Sequence, residues 1–383
     1  MFSLYFPDKN YTALYLHVFG DTIANNLIQT FAGALLYSLG MPLALVILFF
    51  GLEFGLRGLI APVAPIIASR IGIKKAMSAS YVSLIIFFIC LGLAHISLYI
   101  GFFAFIFRSI SRGIYYPCAD TLHSVLIKDG SRGKQYTFEQ VGVAISGLLA
   151  TIIGTAALLH AFHFAIICLI AVLLLAIAPL MLIMDEVNIS IRPQISTAYK
   201  FLISEEYKEN VLPFSGYAVA IIGNITIMPL FIFVLVHKAI AFGDIIFYGL
   251  LIQIIFLLIY GVLMDRKGHK ETLPVVGGLQ IAGNMGFIIA TCVPYVLIPL
   301  TGTNNTIWSL FMSNYNTRIQ QKANKRGNAF LFNTVVQMNL CFIEVIVLSV
   351  LALVALCWGT KVFVAVFLIS CLGLIMSMKY FKD

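Results

Sequence analysis

Residues 345–378 read VIVLSVLALVALCWGTKVFVAVFLISCLGLIMSM and hold a single charged side chain, Lys361. The apolar residues run continuously and do not alternate, so the stretch is helical and not a barrel strand. Gly359-Thr360-Lys361 is the one polar interruption, and it divides the stretch between two successive helices. A helix needs roughly 20 apolar residues to cross the hydrocarbon core of a bilayer. Runs of the same kind recur at 84–107 and 163–184.

Composition extends this reading to the whole chain. Of 383 residues, 61% are hydrophobic and 10% charged. A soluble domain runs at about 45–50% apolar and about 25% charged. The natural solvent of this chain is therefore lipid, in which backbone groups must be paired internally. The net charge of +8 is read as a topological signal that holds basic loops on one side. Nucleic-acid binding would need a basic face on a soluble domain, and none is present. The seven cysteines fall in apolar runs without metal-ligand or disulfide spacing, and they read as small buried hydrophobes. No cleavable leader is evident ahead of the first long apolar stretch.

Twelve spans are expected, at about 12–36, 41–69, 76–97, 99–123, 137–159, 163–184, 211–236, 243–264, 273–293, 295–317, 328–356 and 359–379. The loops then alternate in charge. One side carries Arg70, Lys74, Lys75, Lys128, Arg132, Lys134 and the further basic residues of later loops, while the other carries Lys238 and Lys361. That bias places both termini in the cytoplasm. The expected organisation is an N-terminal six-helix bundle at 1–184, a cytoplasmic linker at 185–210 and a C-terminal six-helix bundle at 211–383. Within the linker, 195–208 is either a short amphipathic helix on the membrane surface or a plain solvated connection.

The halves repeat. Arg70-Ile71-Gly72-Ile73-Lys74 after the second span answers Arg266-Lys267-Gly268-His269-Lys270 after the eighth. Arg132-Gly133 with Phe138 before the fifth answers Arg326-Gly327 with Phe332 before the eleventh. Paired six-helix halves with a site between them are a transporter architecture.

Gly261-Val262-Leu263-Met264-Asp265-Arg266-Lys267-Gly268-His269-Lys270 resembles the signature loop of the major facilitator superfamily, G-x-L-x-D-R-x-G-x-K. The first copy is degenerate: Pro65 stands for the glycine and Ser69 for the aspartate, while Arg70, Gly72 and Lys74 remain. The resemblance implies an all-α integral membrane fold of twelve helices in two pseudo-symmetric bundles, acting as a monomer. It also implies that the loop latches one state. Asp265 would meet the start of the fifth helix and Ser69 the start of the eleventh, with Arg266, Gly268, Lys270 and Glu139 in the same network. Removing the Asp265 carboxylate should then alter switching and leave folding intact. Arg108 and Gly113 on the fourth span are one residue further apart than the family's usual pattern. The fifth span lacks the glycine-proline pair usual in drug–proton antiporters.

Ionisable residues within a bilayer are costly, about 2.5–3.5 kcal/mol or more, and read first as functional. Here they are His17, Asp21, Glu53, Arg57, Arg108, Arg112, Asp120, Glu139 and Glu344. His17, Asp21, Asn25 and Gln29 recur every fourth residue and form a polar stripe along the first span. Asp21 and Arg112 lie at similar depth, which predicts an interaction between them, either a proton or substrate switch or a fixed ion pair. Glu53 and Arg57, four apart, neutralise each other on one face. Glu344 is a candidate second proton carrier. The second half otherwise offers amides: Asn224, Gln253, Asn284, Asn304, Asn305 and Asn314.

No phosphate-binding loop, HExxH or GxSxG element is present, so neither a nucleotide nor another cofactor is expected and an enzyme reading is not favoured. The function expected is secondary transport of a small polar organic solute by alternating access, coupled to protons, in a bacterial cytoplasmic membrane. The alternatives within transport are a proton-coupled exporter of amphipathic compounds and a gradient-independent uniporter or exchanger.

Overall fold

Polar side chains set where several helices begin. Asp8 accepts from the Tyr11 amide at 2.7 Å at the first start. Ser204 does the same for Tyr207 at the seventh, and Asn328 for Leu331 at the eleventh. Each oxygen satisfies an amide that a helix start otherwise leaves without a partner. The computed structural model describes residues 8–126, 132–159, 162–187, 195–264, 269–290, 296–325 and 328–379. Among them the chain forms twelve long helical segments and no strand. These are α1 (9–38), α2 (43–71), α3 (73–95), α4 (98–126), α5 (Arg132–Leu158), α6 (Phe162–Leu182), α7 (205–236), α8 (Ala239–Met264), α9 (His269–Ala290), α10 (Leu297–Lys325), α11 (Ala329–Trp358) and α12 (Val362–Met378).

The expected helix over 195–208 ends at Leu202, and residues from 205 onward belong to α7. Ser204 caps that helix, and Glu205 and Glu206 occupy its first turn, where the helix dipole favours negative charge. The linker helix, Ile195–Leu202, lies against α11. α10 and α11 run 29 and 30 residues, beyond the roughly 20 that span the hydrocarbon core, which leaves room for tilt or for turns outside it.

Six continuous helical stretches among the described residues are long and apolar enough by composition to cross a membrane, and the last of them holds both α11 and α12. α1, α4 and α10 are not among the six. They are the helices that carry many of the polar side chains lining the cavity between the halves, and that load lowers their mean hydropathy.

Contacts in one half recur in the other, six helices on. α1 packs on α5 and α6 as α7 packs on α11 and α12; α3 on α4 and α6 as α9 on α10 and α12; α2 on α4 as α8 on α10. The two bundles meet along α2–α11 and α5–α8, themselves a symmetric pair. Close approach along the first seam depends on small residues. A Cβ added at Gly55 would lie 2.9 Å from Val345 Cγ2, and one at Gly58 would lie 2.9 Å from Cys341 Cβ. The repeat reaches irregular features as well. α1 carries a π-helical turn at Ile28–Ala32, α7 carries one at Ile222–Ile227, and the two turns touch.

Candidate functional site

Between the halves lies a cavity of about 380 Å³, within the range of small-molecule sites, about 300–1,000 Å³. The polar stripe of α1 faces it through Asp21, Asn25 and Gln29. His17 does not line it. Its imidazole is fully buried behind Asp21, with Nδ1 2.7 Å from Ala176 O and Nε2 3.1 Å from Tyr115 Oη.

The structure brings Asp21 and Arg112 together. Arg112 Nη1 donates to both carboxylate oxygens, at 2.7 and 3.0 Å. Tyr81 Oη, from α3, donates to Asp21 Oδ1 at 2.5 Å. The guanidinium lies over the rings of Tyr115 and Tyr116 at 5.0 and 5.5 Å, an attractive placement for a desolvated cation. Arg112 Nε and Nη2 have no hydrogen-bond partner among the described residues. The carboxylate is thus held by three elements, and its cation is held chiefly by the carboxylate. Breaking such a pair strands a buried charge.

A second charged group crosses the seam. Arg57 lies 3.9 Å from Glu53 on its own helix and 3.8 Å from Glu344 on α11. It also donates to Cys341 Sγ at 3.0 Å and to Gln337 Oε1 at 3.4 Å. Arg108 Nη1 lies 3.4 Å from Glu53 Oε2. Arg57 therefore does more than neutralise Glu53, because its longest reach is into the other half. Gln337 Nε2 in turn donates to Asp120 Oδ2 at 2.8 Å.

Apart from Glu344, the second half buries amides and hydroxyls in place of charges among the described residues. Gln280 Nε2 donates to Asn224 Oδ1 at 2.5 Å and to Asn304 Oδ1 at 2.8 Å. Asn224 and Asn284 both donate to Ser370 Oγ, at 3.1 and 3.2 Å. Of the expected amides, Asn224, Gln253 and Asn305 line the cavity; Asn284, Asn304 and Asn314 do not. An aromatic wall faces it too: Tyr217 and Trp308 stack with centroids 6.1 Å apart.

The latch residues have different fates. Asp265, Arg266 and Gly268 lie outside the described residues, as does the Lys270 side chain. Ser69 is exposed, and its hydroxyl donates to Ile66 O of its own helix. At the start of α11, Asn328 accepts from the Leu331 amide. Gly72 adopts φ +89 and ends α2, a conformation that favours glycine. Lys74 donates to Met184 O at 2.9 Å, with Glu186 3.5 Å away, so this loop is tied to the end of α6 in its own half. Arg70 is exposed. Glu139 lines the cavity with its carboxylate 3.3 Å from His123 Nε2. At this end neutral groups join the halves among the described residues. Asn324 donates to Ser124 O at 2.7 Å, Asn333 donates to Ser124 Oγ at 3.0 Å, and Ser124 Oγ bonds Gln320.

Sequence reasoning had no role for Tyr81, Tyr115, Tyr217, Trp308, Gln280 or Gln337. The depth counting that pairs Asp21 with Arg112 could have been extended to Tyr81, although Ser78, Ser80 and Ser83 on the same span offer hydroxyls too. The rest follow only from which helices meet.

The family model described as Major Facilitator Superfamily matches residues 14–343. Among curated proteins none matches the chain by sequence. Among solved structures, the human organic anion transporter MFSD10 (TETRAN) aligns with TM-score 0.70 at 14% identity, covering 96% of this chain and 99% of its own. A single-residue variant of the E. coli fucose:proton symporter FucP aligns with TM-score 0.66 at 15% identity, covering 97% of each chain. FucP in the outward conformation aligns with TM-score 0.68 at 15% identity over the same share. At these identities the likeness shows the fold.

Proposed function

The chain belongs to the Major Facilitator Superfamily, whose members are transporters and not enzymes, and on that premise we propose that it moves a small polar organic solute by alternating access, coupled to protons. The observation that carries the reading is the Asp21–Arg112 pair at the cavity wall. Asp21 is faced by Arg112 from α4 and Tyr81 from α3, with His17 and Tyr115 behind. Protonating the carboxylate removes the principal partner of the guanidinium. A solute or a change in helix packing then has to satisfy it, and this links proton binding to the conformational equilibrium. Glu344, close to Arg57 at the seam, is a second carboxylate at which a proton changes the tie between halves.

The fucose:proton symporter shares this fold, which lends support to coupling by protons. The basic loops assign both termini to the cytoplasm, and the simplest host is a bacterial cytoplasmic membrane. The polar side chains that both halves place at the cavity, among them Asp21, Asn25, Asn224 and Gln253, support a solute with polar groups.

The test is uptake into liposomes with and without an imposed pH gradient, in wild type and Asp21→Asn. Uptake should follow the gradient in wild type and lose that dependence in the variant. Exchange that ignores the gradient in both would make the protein a uniporter or exchanger and Asp21 a structural partner.

A further inference from the structure

The charged groups that line the cavity are Asp21, Arg57, Asp120, His123, Glu139 and Glu344. Three of the four carboxylates have a basic side chain beside them. Asp21 is held by Arg112, Glu344 lies 3.8 Å from Arg57, and Glu139 lies 3.3 Å from His123. Asp120 is different. Among the described residues no basic group lies within ion-pair distance of it, and its one side-chain hydrogen bond comes from a neutral amide, Gln337, on the opposite half.

The basic side chains that line the cavity, Arg57 and His123, are already engaged. Each nitrogen of the Arg57 guanidinium faces a partner: Nε the Cys341 sulfur, Nη1 Glu53, Nη2 Glu344 and Gln337. Arg108 and Arg112 stand behind the wall and do not line it. Among the described lining residues an anionic solute would meet four carboxylates and two basic side chains that already have acidic partners.

Independent observations point to a ligand. Glu344 is 1% exposed, and its Oε2 has no hydrogen-bond partner. Trp308 is 5% exposed, and its Nε1 is buried without an acceptor, although a buried indole N–H usually finds one. Both side chains line the cavity with Asp120 and with the Tyr217 ring stacked on Trp308. A carboxylate with no ion-pair partner among the described residues, its charge shared only at longer range with His123 and Arg57, suits a cation opposite an aromatic wall by charge-assisted hydrogen bonding and by attraction to ring faces.

We propose that the transported solute is an organic cation whose protonated amine binds Asp120, with a hydrogen-bond acceptor elsewhere in the molecule for the Trp308 indole. This rests on the transport reading above and names its substrate class. Asp120 belongs to α4 and its amide partner Gln337 to α11, so the amine occupies the seam along which the halves separate.

The test uses the purified full chain with tyramine, ethanolamine and 3-methoxypropylamine, protonated amines that also carry an oxygen acceptor, each beside a neutral and a carboxylate analogue of the same skeleton. Binding is read by thermal shift, and exchange by counterflow in liposomes. At least one amine should bind at least about tenfold more tightly than both of its analogues, and Asp120→Asn should erase that preference while neutral analogues bind as before. Trp308→Phe, which keeps a ring and removes the N–H, should weaken the preferred amine severalfold. If Asp120→Asn does not unfold cooperatively, Gln337→Leu removes the hydrogen bond and leaves the charge. The amine preference should then persist, and its loss would count against Asp120. Equal or tighter binding of carboxylate or neutral analogues, no binding of any amine, or an unaltered preference in Asp120→Asn overturns the proposal. Counterflow separates the two readings. Exchange of a neutral or anionic solute leaves transport standing without the cation, whereas no exchange of any solute brings down transport itself.

Discussion

The two halves place a polar cluster at the same four positions, the first, third, fourth and sixth helices of each bundle, and build them from different chemistry. In the first half these are Asp21, Tyr81 and Arg112, with the Ala176 carbonyl reached through His17. In the second they are Asn224, Gln280, Asn304 and Ser370. Both clusters satisfy polar groups buried between helices. Only the first holds groups that carry charge, so only there does neutralising one member strand a buried ion. On the proposed function, a duplicated scaffold would separate two tasks at these positions, with proton binding at the first-half cluster and permanent hydrogen bonding at the second.

The largest effect that tests this comparison is the removal of one ion. Arg112→Gln leaves Asp21 buried with only Tyr81 to stabilise its charge. Breaking a buried pair in this way costs about 3–5 kcal/mol, so the melting temperature should fall sharply and transport should be lost. The double variant Asp21→Asn with Arg112→Gln removes both charges and should regain most of the melting temperature without regaining transport. A double variant that transports with the wild-type pH dependence would deprive the pair of its function.

Next in size is the packing beneath the clusters, where the comparison predicts a likeness. Gly20 on α1 meets Ala176 on α6, and Gly216 on α7 meets Gly373 on α12, so one close crossing occurs in both halves. A Cβ at Gly216 would come 2.6 Å from Ser377 N and 2.7 Å from Gly373 O, both backbone atoms that cannot turn aside. A Cβ at Gly20 would come 2.8 Å from the Ala176 Cβ and 3.0 Å from its Cα. Overpacking costs about 1–3 kcal/mol, and Gly216→Ala should reach the upper part of that range. Gly20→Ala should be partly rescued by Ala176→Gly. Differential scanning fluorimetry of the four proteins reads this directly, and an absence of rescue would mean that the first-half crossing is held by other contacts.

The sequence made the scaffold legible because twelve apolar runs and alternating basic loops are local signals. It made Asp21–Arg112 legible because both sit on spans whose ends can be counted. It showed Glu53–Arg57 only as a pair on one helix, because Glu344 becomes a partner only once α2 lies along α11. The two π-helical turns leave no trace in apolar periodicity, since they are a change of hydrogen-bond register within a continuous helix. The charged loop motif drew attention to Asp265. The described contacts between halves at that end are instead made by Ser124, Gln320, Asn324 and Asn333, residue types too common in loops and caps to signal a latch.

That neutral latch supplies a smaller effect. Ser124→Ala removes the hydroxyl that Asn333 and Gln320 share and keeps the carbonyl that accepts from Asn324. Each lost bond is worth about 0.5–1.5 kcal/mol, so this end should open severalfold more often. Hydrogen exchange over 120–126 and 317–325 should accelerate while the exchange of α2 and α11 stays the same. Unchanged exchange would place the closing contacts elsewhere.

The smallest effect is the most discriminating. Gln280→Leu deletes the donor that joins Asn224 to Asn304, at the position where Tyr81 serves Asp21 in the other half. Interhelical hydrogen bonds in membranes average about 0.6 kcal/mol, because stranded amides find other partners. The melting temperature should therefore drop by only a few degrees, and uptake should keep its dependence on the pH gradient while apparent affinity shifts. Tyr81→Phe, a change of one hydroxyl at the matching place, removes a donor from a carboxylate and should move the pH dependence itself. If Gln280→Leu moved the pH dependence as far as Tyr81→Phe, the amide cluster would belong to the coupling machinery and the division of labour between the halves would fail.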